Sequence, residues 1–212
     1  MDKKTLLDEI EKNVRICQKC RLCKTATNAV PGEGNINSEI VFIGEAPGAT
    51  EDATGRPFVG RAGKLLDVLL GQIKMQRSDV WIGNVIKHRP PENRDPLPDE
   101  IEACLPYLTM QLDIIKPKII VTLGRYAMNY FYKDGKISRD HGRALQTEKY
   151  FVFPVYHPAA ALRNPEMAKV LKEDFLRIPD VLQQIKTGKF GVNAKPPVLP
   201  VVPKGQQGLG LM

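Results

Sequence analysis

One arrangement recurs along this chain and restricts what it can fold into. A short apolar run ends, and a compact cluster of polar, Gly and Pro residues follows at once. Residues Glu39 to Ile43 run into Gly44-Glu45-Ala46-Pro47-Gly48, and Val80 to Ile82 lead to Asn84 and then His88-Arg89-Pro90-Pro91. Residues Tyr150 to Val155 run into His157-Pro158-Ala159-Ala160. In an open α/β sheet the crevice lies beyond the carboxyl ends of the strands, so such clusters converge on one cleft. Glu45, Asn84 and His157 are therefore expected to face a single site.

The segments between these runs supply the covering helices. Leu6, Leu7, Ile10 and Val14 recur at helical spacing within residues 2 to 15. Leu65, Leu66, Val68, Leu69, Leu70 and Ile73 mark a buried helix, after a long Gly-rich loop that runs to about residue 60. Pro98-Asp99-Glu100 opens a helix that runs to about Ile115, with acids in its first turn as the helix dipole favours. Further helices are expected from Gly124 to about Tyr132 and over 165–185. Strands are expected near 39–43, 80–86, 118–123 and 150–155, with 133–149 a polar loop or hairpin. Alternation of strands with helices predicts an α/β fold, a three-layer αβα sandwich around a central four-stranded, mainly parallel sheet. Beyond about residue 186, Pro196, Pro197, Pro200 and Pro203 alternate with Val and Leu before a Gly-rich end. This composition reads as an extended tail over 186–212 attached to one domain over 1–185.

At 212 residues the chain is long enough to bury a real core, and its 42% apolar content excludes a wholly disordered protein. No run approaches bilayer-spanning length, and Met1-Asp2-Lys3-Lys4 lacks a signal-peptide core, so a cytoplasmic protein without a membrane partner is expected. The net charge is +7, but Lys186, Lys189, Lys195 and Lys204 lie in the acid-free C-terminal segment, which leaves +3 for the rest. That excess is compatible with a polyanionic partner and does not establish one. Three of the four cysteines, Cys17, Cys20 and Cys23, stand in Cys-x2-Cys-x2-Cys spacing, with Cys104 alone. Without an export signal, this favours a metal or iron–sulfur cluster over disulfides.

Taken in order, these segments resemble the family 4 uracil-DNA glycosylases, the iron–sulfur, thermostable type. The resemblance covers about residues 10 to 180. It rests on Cys17-x2-Cys20, the Gly44 to Gly48 cluster, Gly55-Arg56-Pro57-Phe58-Val59-Gly60-Arg61-Ala62-Gly63, and Asn84-Val85-Ile86-Lys87. Arg89-Pro90-Pro91 with Asn93-Arg94-Asp95-Pro96, and His157-Pro158-Ala159-Ala160 through Arg163-Asn164-Pro165, complete it. The resemblance implies a uracil-DNA glycosylase-like fold and a [4Fe-4S] cluster. The family commonly has cysteine where this chain has His88. Two ligand sets follow: Cys17, Cys20, His88 and Cys104, with imidazole in place of a thiolate as in Rieske centres, or a set in which Cys23 supplies the fourth thiolate. The first is the expectation. The cluster's implied role is structural, fixing the Pro-rich loop against DNA.

The implied activity is that of a monofunctional glycosylase that flips uracil out of single- or double-stranded DNA and hydrolyses its N-glycosidic bond. Phe58 is the candidate stacking face for the base. Asn84 is the candidate reader, accepting from N3–H and donating to O4, a pairing that cytosine mismatches. His157 is the candidate donor to the charge developing on O2. The backbone of Gly44, Glu45 and Ala46 is expected to touch uracil, and Glu45 to position water or close the pocket near C5. Glu51 and Asp52 are rival carboxylates. Leu162 and Arg163 are candidates for the wedge that fills the vacated stack. Arg56, Arg61, Lys87, Arg89 and Arg94 are candidate phosphate contacts. A monomer is expected. In the tail, Gln206, Leu209 and Met212 faintly resemble the sliding-clamp motif without its aromatic pair, so a weak clamp contact is the corresponding candidate. The alternative is an iron–sulfur uracil-DNA-binding protein that is non-enzymatic or traps its product covalently. The trapping kind uses a histidine in an inserted basic loop, and residues 88 to 98 hold no such insertion.

Overall fold

In the computed structural model, which describes residues 1–190, the strands are β1 (Glu33–Gly34), β2 (Ile40–Gly44), β3 (Trp81–Asn84), β4 (Ile119–Leu123), β5 (Leu145–Gln146) and β6 (Phe151–Val155). They form one sheet in the order β1-β3-β2-β4-β6-β5. The four expected strands are the inner ones, all parallel. Two short strands pair antiparallel at the edges: β1, which the sequence pattern did not mark, and β5, which with the short helix Ile137–Asp140 lies in the segment 133–149 expected as a loop or hairpin. Every residue of β2, β3 and β4 is buried, as parallel strands covered on both faces require.

Eight α-helices surround the sheet among the described residues: α1 (Lys3–Arg15), α2 (Ala49–Thr54), α3 (Arg61–Gln72), α4 (Pro98–Ile115), α5 (Arg125–Phe131), α6 (Ile137–Asp140), α7 (Pro158–Ala161) and α8 (Pro165–Lys186). Leu66, Leu69 and Leu70 of α3 and Leu171, Phe175 and Ile178 of α8 pack on one sheet face with Phe42, Val121 and Phe153. The rings of Phe42 and Phe175 stack with centroids 5.7 Å apart. On the other face, Leu108, Leu112 and Ile115 of α4 and Ala127 and Phe131 of α5 cover Val41, Ile43, Ile120 and Val152. Alternate residues of β2 thus feed opposite layers, which is the period-two consequence of a strand buried on both sides. Fully burying each such side chain contributes about 1.5–3 kcal/mol.

Capping follows the sequence. Asp2 Oδ1 accepts from Thr5 N at 2.8 Å to start α1. Glu100, in the first turn of α4, accepts from Leu97 N at 2.8 Å. Asn164 Oδ1 accepts from Glu166 N and Met167 N to start α8. The Gly-rich stretch after β2 is not wholly loop, because α2 lies within it. Helix α8 ends at Lys186, whose Nζ donates to Glu39 Oε2 at 2.9 Å. Phe190 then sets its ring edge-on to Phe151, 5.5 Å between centroids. The clamp-like residues Gln206, Leu209 and Met212 lie outside the described residues. No helix among the described residues is long and apolar enough to cross a membrane.

The strand order decides where a site can form. From β2 the chain crosses to β3 on one side, and β4 and β6 lie on the other side. The order therefore reverses between β2 and β4, which opens a crevice at their carboxyl ends.

Candidate active site

Gly44 closes β2 and stands opposite Asn84, the last residue of β3. A Cβ on Gly44 would lie 2.5 Å from both Asn84 Oδ1 and Phe58 Cζ, so only glycine lets the carboxamide and the ring approach this closely. Beyond the strands, Val85 N donates to Gly44 O at 2.9 Å and Ile86 N to Glu45 O at 3.1 Å, which extends the pairing into the loops. Asn84 is buried and its Oδ1 has no hydrogen-bond partner among the described residues. An unpaired buried acceptor costs about 1–3 kcal/mol, a cost that a ligand donor removes.

Phe58 reaches this point at φ 51°, in the left-handed region that disfavours a bulky side chain. Such a conformation costs on the order of 1–3 kcal/mol and persists only where neighbours enforce it. Glu51 Oε1 accepts from Val59 N at 2.9 Å and Gly60 N at 2.8 Å, which fastens the loop to α2. The Phe58 ring lies 5.9 Å from the His157 ring, tilted by 33°. His157 caps α7, and its Nδ1 accepts from Ala159 N at 3.1 Å. A nitrogen that accepts carries no proton, so the neutral ring bears its hydrogen on Nε2. Burial pushes the His157 pKa down to about 4, against a small opposing pull from Glu51, so the ring is neutral near pH 7.

These groups line a cavity of about 350 Å³, together with Glu45, Ala46, Glu51, Asn93, Arg94 and Arg163. Its polar groups are the carboxamides of Asn84 and Asn93, the neutral His157 imidazole, the Glu45 and Glu51 carboxyls and the guanidiniums of Arg94 and Arg163, set against the Phe58 ring. Glu45 is half-buried, and burial with the nearby Asp95 charge pushes its pKa up to about 7, while Arg125 pulls it back. The arrangement can grip a flat polar ring on two edges and one face, with a carboxyl group that titrates near neutrality beside it.

Of the sequence-predicted residues, the cavity gathers Glu45, Ala46, Phe58, Asn84, Arg94, His157 and Arg163, with Gly44 beneath. Leu162 is exposed directly after α7, next to Arg163. Arg61, exposed, opens α3, and Arg89 Nε donates to Asn93 Oδ1 at 2.8 Å.

Two expectations need correction. Lys87 is not available to phosphate: it is wholly buried, with Nζ donating to Asn84 O at 3.0 Å and to Gln111 Oε1 at 2.9 Å. Asp52 is no water-holding carboxylate, since it is buried and its Oδ1 accepts from Thr27 N and Asn28 N. Glu51 lines the cavity but spends one oxygen on the Val59 and Gly60 amides. Two arginines are already partnered. Arg56 is bound in bidentate fashion by Glu33, and Arg94 by the fully buried Glu100 at 2.6 and 2.8 Å. Sequence reasoning missed Arg125 and Asp95 as the charges acting on Glu45. Asp95 stands in the Asn93-Arg94-Asp95-Pro96 segment and Arg125 opens α5, and only the fold brings the two to Glu45.

The cysteines gather on the opposite side of Lys87. Cys17 follows α1, Cys20 precedes the tight turn Arg21–Lys24, Cys23 lies within that turn, and Cys104 is buried on α4. Cys104 lies within electrostatic reach of Cys17 and Cys20, and Cys20 within reach of Cys23. Burial pushes the Cys104 thiol up to about 11, and Lys87 N donates to its sulfur at 3.4 Å. His88 is buried and its Nδ1 has no partner among the described residues. Also among the described residues, no three His, Cys, Asp or Glu stand close enough for a single metal ion. A cubane spreads its thiolates more widely than one ion does. Four neighbouring thiols on three segments and an amide aimed at one sulfur are a donor set that fits such a cluster, and His88 follows directly on the Lys87 whose amide meets Cys104.

Residues 31–178 match the family model of the uracil DNA glycosylase superfamily, so the chain belongs to that superfamily. Within it, the chain is similar to the type-4 uracil-DNA glycosylase of Saccharolobus solfataricus, 52% identical over 186 residues, 83% of this chain and 86% of the relative. It is similar also to those of Archaeoglobus fulgidus, 46% identical over 82% of this chain and 92% of the relative, and Thermotoga maritima, 44% identical over 80% and 91%.

Proposed function

We propose that this protein is a monofunctional uracil-DNA glycosylase of the type-4 kind. The observation that carries the reading is the buried, unpartnered Asn84 Oδ1 facing a cavity that the Phe58 ring and the protonated Nε2 of His157 also enter. Uracil everted from DNA fits that set. Its N3–H donates to Asn84 Oδ1, its O4 accepts from the Asn84 amide, and its face lies on Phe58. His157 Nε2–H donates to O2, where negative charge develops as the glycosidic bond lengthens. Because the ring is neutral, it stabilises that charge without delivering its proton. Water adds to the sugar C1′ and gives up one proton to solvent, uracil leaves with the bonding electron pair, and a proton from solvent neutralises the released uracil anion. Glu45 in its ionised form orients the water. Cytosine presents an amino group and an unprotonated N3, so with the Asn84 carboxamide in this orientation both bonds are lost and buried groups stay unpaired.

Cys17, Cys20, Cys104 and His88 would hold a [4Fe-4S] cluster, with Cys23 the rival for the fourth position. Bound there, the cluster would cross-link the N-terminal segment, the Pro-rich loop and α4. DNA is the partner, with Leu162 and Arg163 at the wedge position and Arg61 and Arg89 near phosphate.

Turnover on uracil-containing single- and double-stranded DNA tests the reading. Many uracils released per enzyme support it. A stoichiometric covalent adduct, or binding with no release, would replace it by the non-catalytic alternatives.

A further inference from the structure

We infer that Arg77 is a positioning residue for excision: its guanidinium clamps the turn that presents Phe58 to the base. Arg77 starts the tight turn Arg77–Asp79 that leads into β3. Its Nη1 donates to Phe58 O at 2.9 Å and to Asp67 Oδ1 at 3.0 Å. Its Nη2 donates to Pro57 O at 2.6 Å and to Glu33 Oε1 at 3.2 Å. Two successive carbonyls of the stacking loop, a carboxylate of α3 and a carboxylate of β1 therefore converge on one planar fork.

Phe58 sits at φ 51°, a conformation a phenylalanine does not adopt unaided. Glu51 holds the following amides at Val59 and Gly60, and Arg77 holds the carbonyls at Pro57 and Phe58. The residue is fixed on both sides, and its ring is turned toward Gly44 and His157. On its other side α3 leaves room for the Phe58 carbonyl only because residue 63 is glycine, since a Cβ there would overlap that oxygen. Only a guanidinium reaches both carbonyls and both carboxylates in one plane, whereas an ammonium is a single point of charge. Glu33 also holds Arg56 through two bonds, so its carboxylate anchors the clamp.

The inference rests on the reading that Phe58 stacks on the flipped base. The test is a double-substitution cycle in the full chain, reading single-turnover excision from single-stranded uracil DNA together with DNA affinity. Phe58→Ala is expected to slow excision by about 10- to 100-fold. Arg77→Lys is expected to slow it about 10-fold in the native background, with DNA affinity unchanged, and less than about 2-fold when Phe58 is already alanine. An equal loss in both backgrounds, or no loss in the native one, overturns the clamp. An undiminished rate in Phe58→Ala overturns the stacking role first, and the clamp's purpose with it. Should Arg77→Lys fail to fold, Arg77→Gln, which keeps N–H donors for a carbonyl without the charge, runs the same cycle.

Discussion

In the proposed reading Asn84 and His157 form a complementary pair: the buried carboxamide offers an unpaired acceptor, and the imidazole is held neutral by burial with its tautomer fixed by a neighbour. The amide of Ala159 consumes His157 Nδ1, and the cavity leaves Asn84 Oδ1 waiting. Asn84→Ala and His157→Ala are each expected to slow excision by about 100- to 1,000-fold, with duplex affinity nearly unchanged, as single-turnover kinetics beside a binding isotherm would show. The Glu45 carboxyl, held up near about 7 chiefly by burial, sets the pH dependence. Below that value it is neutral and cannot orient water as a carboxylate, so excision rises with pH through about 7 and then levels. His157, at about 4, adds no break between those values. Asp95→Asn is expected to move the Glu45 limb to lower pH and Arg125→Gln to higher pH, because one raises and the other lowers its pKa. The raised pKa also means that the Glu45 contribution to fold stability is lost as pH climbs from the ordinary 4.5 to about 7. Asn84 and His157 were legible in the sequence because each ends an apolar run. The charges acting on Glu45 were not, since their proximity exists only in three dimensions.

The elements were legible to the degree that they carry a period. Each inner strand fell within two residues of its expected bounds, because a five-residue apolar run between turn residues has one cheap fate in an α/β chain. Helix α2 was not legible. Its six residues, Ala49–Thr54, carry no apolar stripe, and what it buries is Asp52, a carboxylate that serves the amides of Thr27 and Asn28. Strands β1 and β5 are two residues each, too short for alternation to register. The joint that bears most directly on the cavity is at Gly44, where the Cβ of any other residue would meet the Asn84 oxygen and the Phe58 ring. Gly44→Ala is therefore expected to cut excision about 100-fold while lowering stability by only about 1–3 kcal/mol, since both neighbours are side-chain ends that can retreat. Thermal melting beside excision rates separates the two effects.

At the scale of the whole molecule, the sheet separates two tasks. Its carboxyl edge carries the cavity, and the thiols lie on the side of α1 and α4, with Lys87 between: its side chain supports Asn84 O and its amide meets Cys104. If Cys17, Cys20, His88 and Cys104 hold the cluster, the purified His88→Cys and Cys23→Ser proteins both keep its visible absorbance and Cys104→Ser loses it. Loss in Cys23→Ser with retention in His88→Ala reverses the choice of fourth ligand. Removing Arg61 or Arg89 is expected to weaken DNA binding at all sequences and to reduce the salt slope of affinity by about one each. Arg56 and Arg94, already held by Glu33 and Glu100, are expected to change that slope less. The most direct measurement is a crystal structure with free uracil bound. The account predicts the pyrimidine lying on Phe58, its N3–O4 edge on the Asn84 carboxamide and its O2 on His157 Nε2. A ligand seated elsewhere, or one that leaves Asn84 Oδ1 unpaired, would contradict it.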